Sequence, residues 1–211
     1  MAKPLDLEKW ERRSHFEFFR GYEQPFFGIC SQVDVGNLLE RTRLPGELSF
    51  FVASLFLCLK SANETEEFHY RLRGDGVVVH DVIHGGSTVL RNNETFGFAY
   101  FDYDADFARF ADRAEAVLEK ARRGTGPLNE RPERDDLIHF SVIPWLAFTS
   151  FAHARKRNPT DSVPKIVFGK YHGEEGAEKM PVSVEVHHAL MDGLHVSRFF
   201  DRFQTGLNAF P

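Results

Sequence analysis

The groups best suited to proton-transfer chemistry lie in one stretch, Val184-Glu185-Val186-His187-His188-Ala189-Leu190-Met191-Asp192-Gly193. A run of alternating residues delivers two adjacent histidines, and an aspartate-glycine pair follows just before a helical pattern begins. An unperturbed imidazole, with a pKa of about 6.5, can take up and return a proton at neutral pH. Neighbouring residues on an extended chain point to opposite faces, so His187 and His188 cannot both enter one pocket. A two-histidine metal site is therefore disfavoured, and no metal is expected. Taken alone, His188 has two readings, a general base or a histidine satisfied within the core. Ser141, inside the strand-like run Leu137 to Val142, likewise reads as a hydroxyl donor or as a strand serine bonded to the backbone.

These residues need a scaffold, and the patterns along the chain supply one. Leu7 to Arg20 has helical spacing and stops at Gly21. A strand-like run from Phe26 to Val33 precedes a short helix opened by Asp34. Leu48 to Leu59 is apolar almost all round, which predicts a buried helix. Phe68 to Arg73 and Val77 to His80, joined by Gly74-Asp75-Gly76, predict a hairpin. Further strands are expected at Thr88 to Leu90, Phe96 to Asp102, Leu137 to Val142, Phe148 to Ala152, Ile166 to Tyr171 and Pro181 to Val186. Helical spacing returns from Phe107 to Ala121 and again from about Leu194 to Asn208. Helices and strands interleave with no linker between halves, so residues 1–211 are read as one α/β domain with a mixed sheet. The basic run Arg155-Lys156-Arg157 is read as a solvated turn.

Composition narrows the function classes. A net charge of -5 offers no basic face for nucleic acid. No stretch approaches the roughly 20 apolar residues of a membrane span, and the start lacks the apolar run of a secretory signal, so a cytoplasmic protein is expected. Cys30 and Cys58 have no metal-ligand spacing, which agrees with a reducing compartment. The 22 phenylalanines, against 5 tyrosines and 2 tryptophans, predict a core or pocket lined by flat apolar rings.

The pattern His-x-x-x-Asp-Gly, filled by His188, Asp192 and Gly193, resembles the signature of CoA-dependent acyltransferases. The longer segment Pro181 to Asp201 is similar to the C-terminal signature of the chloramphenicol acetyltransferase family. Trp10 to Phe19 resembles that family's first helix, and Phe140-Ser141-Val142-Ile143-Pro144-Trp145 resembles its serine-to-tryptophan segment. The resemblance covers nearly the whole chain. It implies an α/β fold with a large mixed sheet packed by helices, and a homotrimer with sites at subunit interfaces. It implies acetyl transfer from acetyl-CoA to the 3-hydroxyl of chloramphenicol, with His188 as base and Ser141 as donor to the oxyanion. By the same resemblance Asp192 pairs with Arg12, and together with Gly193 they hold the turn that aims His188. Phe96, Phe151 and His153 fall at acceptor-pocket positions, and Lys170 at a CoA contact.

The chain departs from that family on the acceptor side. His153 stands where leucine is usual, Arg155 and Lys165 replace apolar residues, Leu48 replaces a lysine associated with CoA, and Val167 replaces a threonine. Polar groups in an apolar pocket cost binding unless paired. Two alternatives therefore stand beside chloramphenicol acetylation: acetylation of another hydroxylated small molecule, and a non-catalytic trimeric binding protein. The catalytic core of a 2-oxo acid dehydrogenase acyltransferase shares only the shorter motif.

Overall fold

The computed structural model describes residues 2–43, 48–128, 130–131, 133–155 and 160–211. Nine strands and five α-helices occur among them: β1 (Ala2–Pro4), α1 (Arg13–Phe19), β2 (Phe26–Asp34), α2 (Gly36–Thr42), α3 (Phe50–Asn63), β3 (Tyr70–Arg73), β4 (Gly76–His80), β5 (His84–Leu90), β6 (Phe96–Phe101), α4 (Phe107–Arg123), β7 (Leu137–Ile143), β8 (Lys165–Gly169), β9 (Lys179–His187) and α5 (Gly193–Asn208). Six strands form a mixed sheet in the order β2-β9-β8-β7-β5-β6, parallel at β5-β7 and β7-β8 and antiparallel elsewhere. The other three form a small antiparallel sheet, β1-β4-β3.

Strand alternation sorts the large sheet into two unlike faces. Ile138, Phe140, Ile166, Phe168, Val182, Val184 and Val186 belong to the main apolar cluster with α3 and α5. The residues between them, among them Ser141, Val167, Ser183 and Glu185, fall on the opposite face. Helix α3 explains its own burial: ten of its fourteen residues are buried, and Ser49 caps it by accepting from the Val52 N–H. A second cluster, built on Phe16, Tyr70, Leu72, Ala189 and Leu190, packs α1 and the small sheet around the chain just after His188.

Three expectations are corrected. The first helix begins at Arg13 instead of Leu7. The preceding residues form turns, Trp10 N to Leu7 O and Arg13 N to Trp10 O, which let Trp10 lie against Phe16 and Tyr70. Phe148 to Ala152 is not a strand: the segment joins neither sheet, and β7 and β8 next to it in sequence already have neighbours on both sides. Phe148 instead seats its ring on Gly169, where an added Cβ would meet it at 2.8 Å. Arg155 is no solvated turn residue: only 12% of its side chain is exposed, and it pairs with Glu185 and Asp161. Lys156 and Arg157 lie outside the described residues.

Candidate active site

His188 follows directly on β9, and the chain holds it from several sides. Its backbone N–H donates to Pro25 O at 2.7 Å. Its carbonyl accepts from Arg12 Nη2 at 3.4 Å. The ring stacks on Phe19, with centroids 3.9 Å apart and planes at 9°, and meets Phe27 at 4.6 Å. Its Nδ1 is buried with no hydrogen-bond partner among the described residues. Packing and backbone bonds, not a side-chain partner, set the ring's place.

Arg12 and Asp192 meet although 180 residues separate them. Arg12 Nη1 donates to Asp192 Oδ2 at 2.5 Å, and both side chains are partly buried. Burial alone would raise the Asp192 carboxyl, but the Arg12 hydrogen bond and charge hold it below the usual carboxylate range. Asp192 also caps α5, accepting from the Leu194 N–H at 3.2 Å. Its own N–H donates to His195 Nδ1 at 3.0 Å, which leaves His195 Nε2 toward Glu67 at 3.3 Å. The carboxylate is thus committed to Arg12 and the helix start, and the turn between β9 and α5 is tied to α1. Gly193 opens α5 in open space, where a Cβ would meet only Ile29 at 3.9 Å, so its backbone has no steric need of glycine.

His187 points away from His188, as alternation requires. It is buried edge-on to Phe26, burial lowers its pKa to about 4, and its Nδ1 accepts from the Ala189 N–H. No group of three or more His, Cys, Asp or Glu among the described residues could hold a metal ion.

Ser141 sits elsewhere. It pairs with Val167 across β8, and Val167 pairs with Ser183 on β9, five residues before His188. At about 3.4 Å per residue and about 4.8 Å per strand, Ser141 and His188 of one chain lie roughly 20 Å apart. Ser141 lines a cavity of about 690 Å³ on the face away from the helices, with Phe98, Phe140, His153, Asp161 and Lys165 in its wall. Phe151 abuts His153 with ring centroids 4.9 Å apart. Phe96 is 44% exposed on β6, and Lys170 is exposed just beyond β8. One chain therefore gathers Arg12, Asp192, Gly193 and His188 at one place, and Ser141 with His153 at another. The aromatic seat of His188 and the Arg155-Glu185-Asp161 cluster escaped sequence reasoning, because nothing in residue spacing links segments so far apart.

A mixed sheet carrying helices over one face, with a braced histidine at a strand end, defines the α/β class seen in CoA-linked acyltransferase folds. The sequence profile of the family described as chloramphenicol acetyltransferase matches residues 2–204, and the chain belongs to that family. It is 30% identical to chloramphenicol acetyltransferase 3 of Escherichia coli over 97% of this chain and 96% of that one. It is also 30% identical to a chloramphenicol acetyltransferase of Clostridium perfringens, over 95% and 92% of the two chains. A solved chloramphenicol acetyltransferase superposes with a TM-score of 0.85 at 32% identity, covering 98% of this chain. A truncated catalytic core of the 2-oxoacid dehydrogenase multienzyme complex from Thermoplasma acidophilum, at 15% identity and a TM-score of 0.64, shares the fold.

Proposed function

We propose that the protein transfers an acetyl group from acetyl-CoA to a hydroxyl of a small molecule, the 3-hydroxyl of chloramphenicol in particular. The observation that carries this reading is the braced His188, joined to near-full-length kinship with proteins named for that activity. The His188 imidazole takes the proton of the acceptor hydroxyl as that oxygen attacks the thioester carbonyl, and passes it to the leaving thiolate. Ser141 donates its hydroxyl hydrogen to the oxygen on which charge develops. Arg12 and Asp192 act at one remove by holding the turn. Acetyl-CoA supplies the acetyl group, and exposed Lys170 is offered as a contact for it.

The roughly 20 Å between Ser141 and His188 supports a site completed by a second copy, and we infer the homotrimer that the family resemblance implies. Exposed Phe18, Tyr22, Phe96, Trp145 and Leu146 supply apolar surface for such contacts. The single-domain reading is supported by one apolar cluster that joins four helices to the large sheet. A cytoplasmic location is supported by Cys30 and Cys58, both free thiols, and no helix of the described residues is long and apolar enough to cross a membrane. The test is thiol release from acetyl-CoA with and without chloramphenicol. Acceleration by the drug, with one acetyl group added to it, is expected. A rate no faster than the acceptor-free blank would overturn the chloramphenicol assignment.

A further inference from the structure

The wall of the cavity holding Ser141 contains a buried imidazole, that of His153. Only 10% of the His153 side chain is exposed, and neither ring nitrogen has a hydrogen-bond partner among the described residues. The ring is nonetheless held. Its backbone N–H reaches Glu185 Oε2 at 3.4 Å, and its face meets Phe151 nearly at right angles. Glu185 already serves Arg155, whose Nε donates to Oε1 at 2.5 Å and whose guanidinium lies 3.4 Å from the Phe26 ring centroid. His153 Nδ1 stands 3.7 Å from Glu185 Oε2, beyond hydrogen-bond length. Closing that gap would satisfy one nitrogen and leave Nε2 for a ligand. A buried imidazole left unpaired is unfavourable, so the cavity is more favourable filled by something that bonds to it than by an apolar body.

We propose that His153 is a specificity-determining residue, whose buried imidazole bonds a neutral polar group of the acceptor remote from the hydroxyl that is acetylated. This rests on the reading that the Ser141 cavity receives the acceptor. The nearby cations already have partners, so a neutral group needs no charge from them. Arg155 is paired with Glu185 and Asp161, and Lys165 Nζ donates to Ala154 O. The imidazole can donate and accept, which suits a hydroxyl, an amide or a carbonyl. The cavity thereby selects alcohols with a second hydrogen-bonding point over alcohols apolar there.

The test is calorimetric binding, without acetyl-CoA, to the wild-type protein, His153→Leu and His153→Gln. The ligands are chloramphenicol and pairs of primary alcohols, each pair differing by one neutral polar group replaced with hydrogen. For at least one pair the wild type should prefer the polar member by about tenfold or more. His153→Leu should flatten that preference to within about twofold, and His153→Gln should restore part of it. The melting temperature of His153→Leu should equal or exceed that of the wild type, because an unpaired polar group leaves the interior. If no pair is discriminated through His153, or if every ligand is lost together with a fall in melting temperature, the proposal is overturned. A His153-dependent pair found where chloramphenicol is not acetylated would sink the drug as acceptor and leave this inference standing.

Discussion

The turn between β9 and α5 and the wall around Ser141 are built on opposite plans. At the turn, His188 is held by named contacts within its own chain: Pro25 and Arg12 on the backbone, Phe19 and Phe27 on the ring, and Asp192 fixing the start of the helix. At the wall, sheet register places Ser141 and packing against Phe151 places His153, and both residues line a cavity. The first plan keeps the His188 imidazole in place whatever fills the site. The second leaves unmet hydrogen-bonding capacity, and such capacity gives a pocket selectivity. The proposed base and the polar wall that holds Ser141 and His153 thus belong to separate regions of one chain.

Each region can be broken on its own. His188→Ala should lower kcat by about 10²- to 10⁴-fold while the protein still folds, as judged by an unchanged far-ultraviolet spectrum. Activity retained within a few-fold would remove the base from the turn. Ser141→Ala should cost about 10²- to 10³-fold in kcat with little change in KM. A loss seen in KM alone would recast Ser141 as a binding group.

Mixing the two inactive variants sharpens the comparison. On the proposed trimer, refolding equal amounts of His188→Ala and Ser141→Ala chains together should regain about one quarter of wild-type activity, because that share of interfaces would pair an intact His188 with an intact Ser141. No recovery would place both groups in sites made by a single chain.

Asp192→Asn should have the smallest effect. The Arg12 to Asp192 pair is partly solvated, with side chains 15% and 33% exposed, so a loss of about 1 to 2 kcal/mol of stability and a few-fold fall in kcat are expected. Asparagine can still cap α5, which limits the damage. The Asp192 carboxyl is held below its usual range in the folded state. Its contribution is therefore present above the unfolded value of about 3.9 and is lost as pH falls through the folded one. Melting curves of the wild type and Asp192→Asn should converge below about pH 4. A gap independent of pH would mean that the charge contributes nothing.

Much of this was legible in residue order. Helix α3, the hairpin β3-β4, the strands β7 and β9, and α4 and α5 follow from periodicity, because apolar spacing of 3.6 or 2 reports which face must be buried. The motif around His188 marked a strand end, a turn and then a helix, and all three are found there. Phe148 to Ala152 misled because β-like composition says nothing about whether a free sheet edge exists. Arg155 misled because a basic run looks solvated until Glu185, Asp161 and Phe26 are brought around it.

Residue order settled which side chains are able to move a proton, and that His187 and His188 must diverge, since both follow from side-chain chemistry and the two-residue period of a strand. Three-dimensional packing settled the rest. It joined Arg12 to Asp192, stacked Phe19 on His188, set Ser141 two strands away, and buried His153 with no hydrogen bond to either ring nitrogen among the described residues. These are contacts between segments far apart in the chain, and local spacing carries no record of which distant segment will fill the space beside a given side chain.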